Sequence, residues 1–273
     1  MNNLEFVSSS LSYVCTIPDD NKIKAGIIFV HAADGNRLGP HRMFVELADR
    51  LKNCGIASFR FDMRGCGDSS GVPAGNDISS DIEDLLNAIK FFKTKYNPSR
   101  IFLFGISRGA RVSISALVEN DIPVSGACLL STPFSSSKVA AKNFSGRLKE
   151  YLYKFTNPDS LKKVLTGKAD LKQIAKTLTF ALGSQKRYHR NSNGFKTRCP
   201  LFFIYGSKDP IAKDSSIYYR KICEKFNLLF KMIEIKNANH SFFHYQWKEQ
   251  IMEMAEKWLM ENINYGGSDV RSF

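Results

Sequence analysis

The sequence predicts an α/β protein in which a mostly parallel β-sheet carries helices on both faces. Short apolar runs alternate with segments of helical periodicity through most of the 273 residues, an order typical of βαβ units. The run at residues 25–31 is apolar almost throughout, as expected for a strand buried on both faces. Hydrophobic residues make up 43% of the chain and charged residues 24%, which suits a soluble protein with a sizeable core.

The predicted elements follow one another in a regular cycle. Residues 4–10 and 12–18 are two short strands that we expect to form a hairpin. The further predicted strands are residues 25–31, 56–62, 100–106, 124–131, 200–206 and 229–235. The predicted helices, chosen for apolar residues at helical spacing, are residues 43–52, 77–96, 107–119, 215–226 and 242–262.

One stretch, residues 133–198, interrupts this cycle. It has helical character and no good strand, and at about sixty-five residues it is too long for a plain loop in a compact domain. We therefore predict a helical cap inserted into the core. Residues 1–132 and 199–265 then form an α/β core, and residues 266–273 form a flexible tail.

Several classes of protein are disfavoured by what the sequence lacks. It has no run of eighteen apolar residues and no basic start followed by an apolar stretch, so we expect a cytoplasmic protein without a membrane span. The six cysteines form no C-x-x-C pair, which favours free thiols over disulfides or a zinc site. Phosphate-binding glycine motifs and H-E-x-x-H are absent, so we expect no cofactor and no catalytic metal.

The strongest chemical motif is a serine between two glycines. Gly105, Ser107 and Gly109 match G-x-S-x-G, directly after an apolar strand and directly before a helix. This strand–turn–helix setting is typical of a nucleophile elbow, in which the serine lies on a strained turn at the helix N-terminus. The alternative is a serine that only caps the helix. We predict that Ser107 is a nucleophile.

A serine nucleophile needs a histidine base, and in this arrangement the order along the chain is serine, acid, histidine. His189, His240 and His244 follow the serine. His240 lies in the short loop between the last strand and the last helix, at the edge of the sheet where the serine also emerges. His189 lies in the predicted cap and His244 is expected inside the helix, so His240 is favoured.

The acid is expected after a strand at the same edge of the sheet. Asp209 follows the strand at residues 200–206 and precedes Pro210, which favours extended backbone at Asp209. Asp214 is the rival, and it fits better as the N-cap of the next helix. The alternative for Asp209 is turn formation before proline. No acid follows the strand that ends near Thr132.

The reaction also needs two donors for a tetrahedral oxyanion. The backbone N–H of Arg108, the residue after the serine, is the first candidate. Ala33, in the loop after the strand at residues 25–31, is the second. Arg37, His41 and Arg42 come shortly afterwards, and we expect them to contact an anionic group of the substrate. Capping of the next helix and exposure to solvent are the alternative for these three residues.

These residues together resemble the α/β-hydrolase superfamily. Residues 61–71 are similar to the D-x-R-G-x-G-x-S loop common in esterases, lipases and serine-aminopeptidase-like members. Residues 37–42 and 60–62 also resemble hydrolases encoded with exosortase and exopolysaccharide systems. The resemblance implies an α/β-hydrolase fold with a cap, and it implies serine hydrolase activity.

The positive charge is concentrated in the predicted cap. Residues 133–198 contain fifteen basic and three acidic residues, a net +12 of the chain's +13. We expect this segment to attract an anionic or carrier-bound acyl substrate, or an anionic membrane surface. A solvated helical face is the alternative. Nucleic acid is not expected, because the segment has no nucleic-acid-binding motif.

The sequence therefore predicts hydrolysis of a carboxylic ester or thioester through an acyl-enzyme. Ser107 attacks the carbonyl, His240 takes the proton and Asp209 orients His240. A triad of this kind does not by itself separate ester hydrolysis from amide or peptide hydrolysis or from acyl transfer. A non-catalytic binding protein with the same fold is the third alternative.

Overall fold

The computed structural model describes residues 2–5, 10–33, 35–74, 78–134 and 199–264. The strands in this part of the chain are β1 (Asn2–Glu5), β2 (Ser10–Thr16), β3 (Ala25–Val30), β4 (Ile56–Phe61), β5 (Ile101–Ile106), β6 (Gly126–Leu130), β7 (Leu201–Gly206) and β8 (Phe230–Ile235). The helices are α1 (Met43–Asn53), α2 (Ser79–Tyr96), α3 (Arg108–Glu119), α4 (Pro210–Lys225) and α5 (Tyr245–Asn264). A short 3-10 turn at Pro40–Arg42 precedes α1.

All eight strands form one sheet in the order β1-β2-β4-β3-β5-β6-β7-β8. The first two pairings, β1 with β2 and β2 with β4, are antiparallel. The remaining strands pair in parallel. Within the described ranges, helices α1, α2, α3 and α4 each connect two successive strands and return the chain to the same end of the sheet. The predicted fold class, a mostly parallel sheet with helices on both faces, is confirmed.

Helices bury both faces of the sheet. Side chains of α1 and α5 share one core cluster with Phe29, Phe104 and Phe202. The opposite face packs against α2, where Phe92 contacts Phe59, and against α4, where Tyr219 stacks on Phe203. The strands are almost entirely apolar because both of their faces are covered.

Helices α4 and α5 begin at the residues that differ most from the sequence prediction. Helix α4 begins at Pro210 and not at residue 215, because the Asp209 carboxylate accepts hydrogen bonds from the first N–H groups of the helix. Asp214 therefore lies inside α4, and the expectation that it caps this helix is wrong. Helix α5 begins at Tyr245, so His244 precedes the helix that was expected to contain it. The His244 carbonyl accepts hydrogen bonds from the Trp247 and Lys248 N–H groups.

The predicted cap and tail fall almost wholly outside the described residues. Only Pro133 and Phe134 of the segment 133–198 are described, and residues 266–273 are not. The division into core, cap and tail stays a prediction. None of the helices in the described ranges is long and apolar enough to cross a membrane.

The core makes a direct prediction about Phe29. Its ring is fully buried and packs against Phe44 and Phe104. We expect Phe29→Ala to lower the free energy of unfolding by about 3–5 kcal/mol, because it leaves a cavity between the sheet and α1. Phe243, which is 59% exposed, provides the matched control.

The measurement is urea denaturation followed by tryptophan fluorescence. Phe243→Ala is expected to stay within about 0.5 kcal/mol of the unmodified protein. Equal losses in the two variants would contradict this description of the core.

Candidate active site

Ser107 occupies the turn between β5 and α3 in a backbone conformation that serine seldom adopts. Its φ is 52° and its ψ is −116°, which costs conformational energy in a residue with a Cβ atom. Its N–H donates to the carbonyl oxygen of Leu130 on β6, at 2.8 Å. The turn therefore lifts the serine side chain above the carboxyl ends of the strands and fixes it there.

The two glycines of the motif are required by close contacts. A Cβ atom at Gly109 would lie 2.1 Å from the carbonyl oxygen of Val30 on β3. A Cβ atom at Gly105 would lie 2.7 Å from the backbone of Ala110. Both contacts are with backbone atoms, which cannot move aside as a flexible side chain does, so only glycine fits at either position.

Three side chains predicted from the sequence meet in one hydrogen-bonded row. The Nε2 atom of His240 lies 2.8 Å from the Ser107 hydroxyl oxygen. The Nδ1 atom lies 2.6 Å from the Asp209 carboxylate. Because an ionised carboxylate only accepts hydrogen bonds, Nδ1 carries a proton, and Nε2 is left to accept the serine proton.

The local backbone explains why Asp209 takes this position. Asp209 has the extended conformation expected before Pro210, with φ −98° and ψ 94°. Its Oδ1 atom accepts hydrogen bonds from the N–H groups of Ile211 and Ala212, while Oδ2 faces His240. The same carboxylate thus begins helix α4 and holds the imidazole.

These contacts set the ionisation of Asp209, which is only 1% exposed. Burial by itself raises the pKa of this carboxyl group, but the hydrogen bond and charge of His240, with the Ala212 N–H and the Ser131 hydroxyl, lower it by more. The net pKa lies below the ordinary aspartate value, so the carboxylate stays charged through the neutral range.

Ser131 is a contact residue that the sequence reasoning missed. It follows β6 in a left-handed conformation, with φ 45°, and is fully buried. Its hydroxyl donates to the carbonyl oxygen of His240 at 3.0 Å and also lies close enough to lower the pKa of Asp209. Its position at the carboxyl end of a strand is the signal that could have identified it. The sequence analysis considered only acidic residues at that place.

The candidate oxyanion donor Ala33 lies in a loop that neighbouring residues hold in place. Ala33 follows β3, where the Ala32 carbonyl accepts from the Gly35 N–H at 3.1 Å. The buried His31 ring connects this loop to the next one, since its Nε2 accepts from the Met63 N–H and its Nδ1 then donates to the Ala32 carbonyl.

Arg108 is the first residue of α3, directly after the serine. Its Nε donates to the Asp81 carboxylate at 2.5 Å, and its guanidinium also donates to the Ala74 carbonyl oxygen. Because these contacts hold the side chain against α2, they also restrain the backbone on which the candidate N–H lies.

The structure does not bring Arg37, His41 and Arg42 to the serine. The guanidinium of Arg37 pairs with the carboxylates of Asp62 and Asp68. His41 and Arg42 are exposed and have left-handed backbone conformations. The described residues lining the cleft are His31, Ala32, Gly35, Asn36, Gly39, Pro40, Ile106, Ser107, His240 and Ser241. A substrate-binding role for the three basic residues stays a prediction.

The described residues also bear on metal binding and on cysteine chemistry. Within the described ranges, no group of three histidine, cysteine or acidic side chains could hold a metal ion. All six cysteines are free thiols. Burial raises the pKa of the thiols of Cys128 and Cys223, which makes both of them poor nucleophiles near neutral pH.

Comparison with known proteins places this chain in a family. The model of the family described as serine aminopeptidase, S33 matches residues 23–245. Lysophosphatidylserine lipase ABHD12 from Bos taurus is 31% identical over 120 residues, which are 43% of this chain and 29% of that protein. The match thus spans less than a third of the length of this curated relative.

Solved structures show the same fold over nearly the whole chain. The ferulic-acid complex of Est1E from Butyrivibrio proteoclasticus superposes with a TM-score of 0.69 at 16% identity, covering 97% of this chain and 100% of that one. The Pyrococcus furiosus esterase PF2001 gives a TM-score of 0.69 at 20% identity, covering 95% of this chain and 90% of that one. The chain has the α/β-hydrolase fold.

The lowered pKa of Asp209 has a consequence for stability. Its ionised form stabilises the fold at every pH above the unfolded aspartate value of about 3.9, and this contribution is lost as the pH falls through the lower native value. We therefore expect Asp209→Asn to be less stable than the unmodified protein at every pH above about 4, and the difference in the free energy of unfolding to shrink below that pH.

The measurement is urea unfolding at a series of pH values, with Asp214→Asn as the matched control. Asp214 lies exposed on the same helix, so its replacement is expected to leave the acid side of the stability curve nearly unchanged. If the difference in the free energy of unfolding between the unmodified protein and Asp209→Asn already shrinks between neutral pH and pH 5, the pKa of Asp209 is raised, contrary to this description.

Proposed function

Since the chain belongs to the S33 serine aminopeptidase family of α/β-hydrolases, we propose that it cleaves a carboxylic ester or thioester with Ser107 as the nucleophile. The observation that carries this proposal is the row of hydrogen bonds from Ser107 through His240 to Asp209. Each member follows a different parallel strand at the same edge of the sheet, where the active sites of open α/β sheets form.

In the first half of the proposed reaction, the Ser107 hydroxyl oxygen attacks the acyl carbonyl carbon. His240 Nε2 takes the hydroxyl proton as the new bond forms, and Asp209 stabilises the imidazolium that results. The tetrahedral intermediate then collapses, the bond to the leaving alcohol or thiol breaks, and His240 returns the proton to that leaving group.

The negative charge on the tetrahedral oxygen needs donors that are already in place. We assign this role to the backbone N–H groups of Ala33 and Arg108. The positive end of helix α3, which starts at Arg108, adds a favourable field at the same point. One donor of this kind stabilises the transition state by roughly 2.7–4 kcal/mol.

In the second half, water replaces the leaving group. His240 Nε2 takes a proton from the water as its oxygen attacks the acyl carbon, and the bond to the Ser107 oxygen breaks as that oxygen regains a proton. The products are a carboxylic acid, a free alcohol or thiol and the original enzyme. The step consumes one water molecule, and the chain's own residues carry out both proton transfers.

The relatives favour an ester over an amide. The curated relative is named as a lipase, and two of the solved structures belong to esterases. The family is described as serine aminopeptidase, so amide and peptide hydrolysis is the second candidate. For the substrate itself we propose an acyl compound with a negative charge, because the segment 133–198 is strongly basic. All of this segment except Pro133 and Phe134 lies outside the described residues.

Labelling with a fluorophosphonate probe tests the nucleophile directly. The unmodified protein is expected to become labelled, because the probe phosphorylates an activated serine, and Ser107→Ala is expected to lose the label. Ser241→Ala is the matched control, since Ser241 lines the same cleft and is exposed. Equal labelling of the unmodified protein and Ser107→Ala would disprove the proposal.

A substrate panel separates the candidate reactions. Acyl esters, acyl thioesters and acyl anilides of one chain length are compared by kcat/KM, and we expect esters or thioesters to exceed anilides. Asp209→Asn is expected to lower kcat by roughly 10⁴ with little change in KM. Dominant anilide turnover would instead favour the peptidase alternative, and no turnover by folded protein would favour a binding protein.

A further inference from the structure

A strained turn, Pro40–Arg42, lies beside the catalytic cleft. Gly39 and Pro40 line the cleft that also contains Ser107. The next two residues have left-handed backbone, with φ 49° and ψ 38° at His41 and φ 61° and ψ 19° at Arg42. This conformation is unfavourable for residues with a Cβ atom, and two of them in succession persist only where neighbours hold them. The contacts of this turn therefore help to set the shape of the cleft.

Lys248, in the first turn of α5, binds the backbone of this turn. Its Nζ atom donates to the His41 carbonyl oxygen at 3.4 Å and to the two carboxylate oxygens of Glu46 at 2.8 and 2.6 Å. An ammonium group has three N–H donors, so these three acceptors match its full capacity. Lys248 is only 7% exposed, and lysine is seldom buried to this extent unless its charge is paired. The Glu46 carboxylate therefore keeps the ammonium group next to the turn.

Both helices joined by this ion pair follow closely on segments that line the cleft. Helix α1 begins three residues after Pro40, and α5 begins four residues after Ser241. Pro40 and Ser241 both line the cleft at Ser107. The contact between Lys248 and Glu46 thus ties the start of one helix to the start of the other, close to both lining segments.

The backbone of the cleft loop is closed by two further hydrogen bonds. The Gly39 N–H donates to the Asn36 carbonyl oxygen at 3.0 Å, and the Phe44 N–H donates to the Leu38 carbonyl oxygen at 3.2 Å. Neither bond involves the two left-handed residues. Within the described ranges, Lys248 supplies the one side-chain hydrogen bond to the backbone of those two residues.

A second ion pair between the same helices provides a comparison. The guanidinium of Arg50 on α1 donates to both carboxylate oxygens of Glu249 on α5. In the part of the chain that the structure describes, this guanidinium has no other hydrogen-bond partner. Both ion pairs join α1 to α5, but only Lys248 also binds the loop that lines the cleft.

We propose that Lys248 is a positioning residue for the substrate. Through the His41 carbonyl it holds Gly39 and Pro40 as a fixed wall of the cleft, so that an acyl compound meets a preformed surface beside Ser107. This inference rests on the proposed function, because it takes that cleft as the place where the acyl compound binds. Among the described residues, the Lys248 side chain has no hydrogen bond to the triad. Its loss is therefore expected to weaken substrate binding and to leave the chemical step nearly intact.

Steady-state kinetics with a short-chain aryl ester tests the proposal. Lys248→Met keeps the length of the side chain and removes its donors, and it is expected to raise KM about tenfold while changing kcat by less than about twofold. Lys248→Arg keeps the charge and the donors, and it is expected to restore most of the affinity. Arg50→Met breaks the neighbouring ion pair and is the matched control, with KM and kcat expected to stay as in the unmodified protein.

Titration of active sites with a fluorophosphonate probe separates positioning from a loss of folded protein. A merely structural role of Lys248 would reduce the fraction of labelled enzyme and leave the KM of the remaining enzyme unchanged. Glu46→Gln retains Lys248 but replaces a charged acceptor by a neutral one, and it is expected to raise KM by about two- to threefold. This variant tests the proposal if Lys248→Met folds poorly.

Hydrogen exchange of the cleft loop gives a readout that needs no turnover. The amides of Gly39 and Phe44 close this loop. They are expected to exchange roughly tenfold faster in Lys248→Met than in the unmodified protein, because the loop opens more often once the His41 carbonyl has lost its partner. Arg50→Met is expected to exchange at the unmodified rate.

Failure of this proposal is distinguishable from failure of the proposed function. An unmodified protein that is neither labelled nor able to cleave the ester would contradict the proposed function, and hydrogen exchange would then decide alone whether Lys248 holds the loop. An unchanged KM in active Lys248→Met, an equal increase in Arg50→Met, or unchanged exchange at Gly39 and Phe44 would each overturn the role of Lys248.

Discussion

The left-handed backbone at Ser107 is the constraint on which the rest of the site depends. Three neighbours hold it: the Leu130 carbonyl accepts its N–H, Val30 packs on Gly109, and the start of α3 packs on Gly105. These contacts exist because β3, β5 and β6 pair in parallel and in register. The sheet order thus determines where the hydroxyl lies, and a strained turn is stable only because the strands around it leave no alternative.

The electrostatics of the site are tied to the fold in the same way. The Asp209 carboxylate is both the N-cap of α4 and the partner of His240, so one buried charge stabilises a helix and orients a base. Ser131 connects the turn after β6 with the loop between β8 and α5, because its hydroxyl donates to the His240 carbonyl. Elsewhere, ion pairs join distant parts of the chain, as between Arg50 on α1 and Glu249 on α5.

Much of the fold could be predicted because the patterns that indicate it involve residues close together in the sequence. Apolar runs identified the strands, the G-x-S-x-G setting identified the turn at Ser107, and Pro210 indicated extended backbone at Asp209. The predicted start of α4 was wrong because Asp214 was expected to be its N-cap. Only the folded backbone shows that Asp209 both caps α4 and contacts His240. The contacts of Ser131 depend on neighbours far apart in sequence, which periodicity and motifs do not reveal.

The central claim is that this turn presents an activated serine to an acyl group. Mass spectrometry of the intact protein mixed with a slowly hydrolysed aryl ester, followed by proteolysis of the trapped species, tests it most directly. We predict a transient mass increase equal to one acyl group, located on the peptide that contains Ser107, and absent in Ser107→Ala. Ester turnover without such an adduct, or an adduct on another residue, would contradict the claim.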